Sequence, residues 1–215
     1  MTRPAVVGLS VLALVIELGW LLLADGSVGS ITAVVLVSVA VLTVTAARFV
    51  AVDTAVRILL GALFAGSVAD RFGLLGAPGT KGVSWGGYSA FVDYTRTLVP
   101  RTLDWSVPTL AAVATALETL IAIGLILGIA AQSTARLATA VLIAFAAAMW
   151  TSVGFDEMSS YGVLVVAGGT AILGSRDTAL RLDHLLRRLP SRRPAMKSSV
   201  AERLDGGWRS GDGRA

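Results

Sequence analysis

Residues 108–130 read PTLAAVATALETLIAIGLILGIA, 23 residues with a single charge, Glu118, near the middle. As a helix at 1.5 Å per residue this stretch is about 34 Å long, enough to cross a hydrocarbon core of about 30 Å. An ionised side chain at that depth costs about 2.5–3.5 kcal/mol on insertion scales, so Glu118 must face protein or water and not lipid. Gly124 and Gly128 form a G-x-x-x-G pair, the spacing that lets a second helix approach closely. The helix is therefore expected inside a bundle, and the other apolar segments have to supply the bundle.

Five further segments fit that role. Residues 5–24 form a first span with Glu17 inside it. Their apolar length, that internal acid and the lack of an A-x-A site favour an uncleaved helix over a signal peptide. Residues 31–51 form a second span, β-branched but too long for a soluble strand. Residues 56–75 form a third, with Gly61 and Gly66 as packing positions and Asp70 and Arg71 as an interfacial pair near its far end. Arg136, also interfacial, precedes the alanine-rich fifth span at 137–153. The sixth is expected over 161–174, extended to Ser159 at its start. The fold class is all-α: a polytopic membrane bundle of six transmembrane helices.

Residues 76–107 make the long connection. The first half is rich in Gly and Pro. In the second, YSAFVDYTRTLV, Phe91, Tyr94 and Leu98 recur at spacings of three and four, an amphipathic helix signal. With Trp85, Tyr88 and Trp105 nearby, this helix is expected along the membrane interface, where aromatic rings are favoured.

Composition agrees. The chain is 55% apolar and 15% charged, against about 25% charged in soluble domains. Its mean hydropathy is +0.77. Residues 1–174 hold eight Lys/Arg and nine Asp/Glu, and residues 175–215 hold ten and five. The excess positive charge thus lies in the tail, which suggests a cytoplasmic side and not nucleic acid. Leu182, Leu185, Leu186 and Leu189 share one face of a short tail helix with arginines around it, suited to an anionic lipid surface. Beyond Pro190 the composition reads as disorder. Arg3, the Arg48/Arg57 loop, Arg136 and the tail share one side of a six-span topology, which sets both termini in the cytoplasm. Lys81, Arg96 and Arg101 in the outer loop run against that rule.

The inventory excludes several chemistries. There is no cysteine, hence no disulfide exchange, thiolate or cluster ligation. The one histidine, His184, lies in the tail, so neither a Ser-His-Asp set nor paired haem ligands can form inside the membrane. No phosphate loop or dinucleotide fingerprint is present. Asp156 and Glu157 in one turn are read as solvated, not as a metal site.

Three pieces of the chain resemble the DoxX family of bacterial membrane proteins. RILLGALFAG, residues 57–66, is similar to the family's opening helix. YSAFVDYTRTLVP is similar to its short outward helix, with Phe91, Tyr94 and Pro100. LETLIAIGLILGIAAQSTARLA is similar to its Glu-containing helix and the Arg that opens the next, here Glu118, Gly124, Gly128 and Arg136. About 120 residues are covered. Two features depart from the family pattern: two helices precede the four-helix core, and the basic residue that often follows the first glycine is matched only by Arg71, five residues past Gly66. The domains implied are residues 1–53 as two added helices, 54–175 as a DoxX-like core, and 176–215 as the tail.

The resemblance implies a protein of the bacterial inner membrane that serves as an accessory or anchoring subunit of a quinone-linked redox system, with no covalently bound cofactor; the residue inventory leans against an enzyme activity and leaves that question open. A quinone, the lipid bilayer, and a redox-enzyme partner or a second copy would be its contacts. The candidate polar pocket consists of Glu118, Arg57 and Glu17, with an Arg57–Glu118 contact within reach. It either takes a quinone-like head group or a proton, or is an ion pair that fixes packing. The alternative function is a stand-alone small-molecule or proton carrier using Glu118.

Overall fold

The computed structural model describes residues 3–45 and 49–175. The expected tail helix and Arg48 lie outside them. Every regular element among the described residues is helical: α1 (Arg3–Leu23), α2 (Ser30–Val44), α3 (Val50–Arg71), α4 (Tyr88–Leu98), a 3-10 turn (Arg101–Ser106), α5 (Val107–Leu127), α6 (Ala131–Ser152), α7 (Phe155–Ser160) and α8 (Val163–Gly174). Four stretches are long and apolar enough to cross a membrane: Pro4–Leu23, Val50–Arg71, Arg101–Leu127 and Ala131–Ser152. The other two apolar helices, α2 and α8, are shorter. At 1.5 Å per residue they measure about 22 Å and 18 Å, less than a hydrocarbon core.

Several boundaries differ from those expected. The second span stops at Val44, and the third begins at Val50 and takes Asp53 into its first turn, where the positive end of the helix dipole favours an acid. The fifth begins at Ala131 and so contains Arg136. The sixth does not extend to Ser159. Gly162, at φ 63°, separates the short α7 from α8. The amphipathic helix predicted over YSAFVDYTRTLV forms as α4, with Phe91 and Thr95 buried.

Six helices alternate in direction, as a set of cross-contacts establishes. Ser10 near the start of α1 bonds Thr43 at the end of α2. Arg57 at the start of α3 reaches the end of α5, and Arg136 at the start of α6 reaches the last residue of α8. These contacts define a terminal end. At the opposite loop end, Trp20 bonds Asp156, and Asp70 holds residues 84–86.

The helix at the centre is α8, not α5. Ten of the twelve α8 residues are buried, and α6, α1, α2 and α3 all pack on it. By contrast α5 buries one stripe, Val107, Ala111, Thr115, Glu118, Ala122 and Leu125, and exposes Val113, Leu120 and Leu127 on the other side. Close approach to α8 depends on missing side chains. A Cβ on Gly168 would lie 3.1 Å from Ser10 Cα, and one on Gly169 would lie 2.8 Å from Val39 Cγ2. The signal in the sequence was AGGTAILG, and G-x-x-x-G matching passes over it.

Gly168→Val and Gly169→Val should therefore each destabilise the bundle by about 1–3 kcal/mol, because added methyls must displace α1 or α2. Gly66 faces open space, so Gly66→Ala should stay within about 0.5 kcal/mol of the parent. Thermal unfolding in detergent micelles measures all three. Equal losses at Gly66 and Gly168 would contradict this packing.

Candidate functional site

The charged residues of α3 and α5 occupy two separate places. Arg71, the last residue of α3, and Glu118 in α5 are both buried, at 2% exposure each. Arg71 Nη2 donates to Glu118 Oε1 at 2.6 Å. Two hydroxyls complete the set: Arg71 Nη1 donates to Thr115 Oγ1 at 3.0 Å, and Ser67 Oγ donates to Glu118 Oε2 at 3.0 Å. A buried charge without such partners would cost several kcal/mol. Here both Glu118 oxygens are satisfied, and Arg71 Nε alone of the guanidinium nitrogens donates to nothing among the described residues.

Aromatic rings roof the pair. The guanidinium carbon of Arg71 stands 3.6 Å from the centroid of Phe91 and 5.2 Å from that of Trp85, and the two rings meet edge to face at 5.2 Å. A cation this close to ring faces is attracted by their quadrupoles, and guanidinium suits such a position better than ammonium. Phe91 comes from the buried stripe of α4. Trp85 comes from the loop, and Asp70 fixes it. The Asp70 carboxylate accepts from the amides of Ser84 (2.8 Å), Trp85 (3.1 Å) and Gly86 (2.9 Å). Asp70 and Arg71 are thus not a pair. Neighbours on a helix point apart, so one takes the loop and the other the core.

Arg57 does not meet Glu118. Its Nη1 donates to the carbonyls of Leu125 and Ile126 in the last turn of α5, where unspent carbonyls and the negative dipole end favour a cation. Seven residues, about 10 Å of helix rise, separate Leu125 from Glu118. The reason is direction: α5 runs against α3, so the start of α3 faces the end of α5. Gly128 belongs to this contact. It ends α5 at φ 71°, and a Cβ there would lie 3.0 Å from Arg57 Nη1. Gly124 instead faces Thr134. The two glycines therefore touch different neighbours and do not form one helix–helix seam. Gly61 does receive α5 closely, with Ile126 N 3.0 Å from its Cβ position. Arg136 Nε donates to the carbonyl of Gly174 at 2.9 Å and caps α8.

Glu17 belongs to neither place. It is buried on α1, at 2% exposure, on the face that packs on α8. The loop end carries a further polar layer. Tyr94 Oη is buried without a hydrogen bond among the described residues. Burial, with Tyr161 and Glu157 nearby, pushes its phenol up to about 12. Among the described residues no three His, Cys, Asp or Glu side chains come together as metal ligands.

What the sequence missed is Arg71 as the partner of Glu118. The available signal was the set of aromatic residues in the loop, which looked like interface anchors and in fact cover the guanidinium. No family model matches the chain, and no curated protein or solved structure matches it.

Two outcomes follow. Glu118→Ala leaves Arg71 buried and uncompensated, so it should cost about 3–5 kcal/mol in unfolding free energy, and the double change Arg71→Met/Glu118→Leu should recover most of that loss. A double variant no more stable than the single one would contradict a paired site. Tyr94 should ionise only near pH 12 in the folded protein. Its unfolded phenol ionises from about 10, so folding stability should fall as pH rises between those values. Phenolate absorbance, compared with Tyr94→Phe, reads this directly, and ordinary titration near 10 would contradict the burial.

Proposed function

We propose that this chain is a six-span protein of the bacterial inner membrane, with both termini cytoplasmic, that serves as an accessory or anchoring subunit of a quinone-linked redox system. The long helices supply four spans. α2 and α8 complete the six, with the turns and α7 making up the missing depth at modest cost. The DoxX-like motifs in α3, α4 and α5 support the redox assignment.

One observation carries the ligand reading: Arg71 Nε–H is an unspent donor, buried beneath Phe91 and Trp85. A quinone head group is flat, apolar on its faces and has carbonyl acceptors at its edge. It matches a donor set against two aromatic rings that meet edge to face. In this reading α4 lifts, the head group enters from the interface beneath it, and Arg71 donates to a carbonyl while Glu118 keeps the guanidinium in place. This moves the candidate pocket from Arg57 to Arg71 and keeps Glu118. A carrier that uses Glu118 itself is the weaker reading, since both of its oxygens are already taken.

Gentle affinity purification from native membranes, with mass spectrometry of proteins and extractable lipophiles, tests the proposal. A stoichiometric oxidoreductase and a retained quinone are expected. Arg71→Lys keeps the charge opposite Glu118 but loses the Nε–H and the flat surface. It should lower the retained quinone by about tenfold or more, the worth of about 1.4 kcal/mol, while the protein stays folded. A wild-type protein with neither partner nor quinone defeats the reading, and full retention in Arg71→Lys moves the site elsewhere.

A further inference from the structure

A second polar position lies outside the Arg71–Glu118 site and is made by the two helices that precede the DoxX-like core. The buried residues of α1 are Val6, Ser10, Ala13, Glu17 and Trp20. Their spacings of four, three, four and three put them on one helix face. That face packs on α8: Ser10 Cα lies 3.1 Å from the Cβ position of Gly168. Two turns further along α1 is Glu17. In the antiparallel α8 this corresponds to about seven residues back from Gly168, the level of Tyr161 and Gly162. The α2 side gives the same level, because Gly162 stands against Thr32 and Leu36.

Both carboxylate oxygens of Glu17 are buried, and neither accepts a hydrogen bond among the described residues. The helices packed most closely on α1 are α8 and α2, and neither contains an Asp, Glu, Lys, Arg, His or Tyr. The only other ionisable residue of α1 is Arg3, fourteen positions away. At the loop end the nearby titratable groups are Asp156, held by Trp20 Nε1 at 2.9 Å, then Glu157 and Tyr161. None is a cation. Ser159 Oγ, 1% exposed and in α7 just before Tyr161, likewise has no hydrogen bond among the described residues.

An isolated carboxylate in an apolar bundle is too costly to leave uncompensated. Among the described residues these helices bring no side-chain cation to it, and what remains is neutralisation on the carboxylate itself. A metal ion needs more oxygen ligands than one carboxyl and one hydroxyl provide, and no acid cluster is present among the described residues to add them. We propose that Glu17 is a proton-binding site, taking one proton on its carboxylate to give the neutral carboxylic acid. Protons arrive from the loop end past Ser159 and the Trp20–Asp156 contact. This assigns to α1, α2 and α8 a proton-accepting function independent of the Arg71 site.

Infrared spectroscopy of the full-length protein in proteoliposomes, recorded as pH is stepped from alkaline to acidic and repeated in heavy water, tests this. The expected result is a carbonyl stretch of one protonated carboxyl, sensitive to deuterium. It should vanish in Glu17→Gln, persist in Glu118→Gln, and shift in frequency in Glu17→Asp, which keeps an acid at the position. Loss in the first variant with a shifted band in the last establishes the site. A band unchanged in both Glu17 variants, or no such band in the wild type, overturns it.

Discussion

A guanidinium and a carboxylate inside an apolar helical bundle have to satisfy each other, and most of the loop-end structure follows from that. Arg71 and Glu118 are 2% exposed and 2.6 Å apart. Neither could stay buried alone at acceptable cost. Their pairing holds α3 in the register on α5 that the packing of Gly61 against Leu125 and Ile126 sets. Ser67 and Thr115, one turn away on the same two helices, then fall within reach as the remaining partners. Phe91 and Trp85 exclude water from above, and this requires α4 to lie where it does and Asp70 to hold the loop. Removing any one part leaves another polar group exposed to an environment that cannot hydrate it.

The terminal end uses charge differently. There Arg57 and Arg136 supply donors to the carbonyls that end α5 and α8. Four such carbonyls are left over at every helix end, and in an apolar surround they need donors. The two ends of the bundle thus solve the same problem with opposite groups. At the loop end Asp70 collects amides, and at the terminal end arginines collect carbonyls.

Glu17 has no such partner among the described residues, and this distinguishes the N-terminal pair of helices from the rest. Their place in the bundle matters too. α1 and α2 do not sit beside a finished core: they close on α8 through Gly168 and Gly169. A four-helix core without them would leave the small-residue face of α8 uncovered. α1 and α2 are structural members of the bundle, whatever chemistry Glu17 performs.

Several features were decided by the sequence itself. Runs of about 20 apolar residues have few alternatives to membrane-length helices, because backbone polar groups must be satisfied within each segment. The three-and-four spacing of Phe91, Tyr94 and Leu98 specified α4 for the same local reason. Glu118 and Glu17 could be marked as buried acids, since any long apolar helix around them forces burial. Partners were another matter. Arg57 and Arg71 both lie on α3, and the sequence by itself sets Arg57 against Glu118 and leaves Arg71 beside Asp70. Only the antiparallel register of α3 on α5 selects Arg71, because register depends on how Gly61, Leu125 and Ile126 interlock and not on any local pattern. The central role of α8 was hidden in the same way. A twelve-residue helix looks minor along the chain, and its glycines acquire meaning only when α1 and α2 close against them.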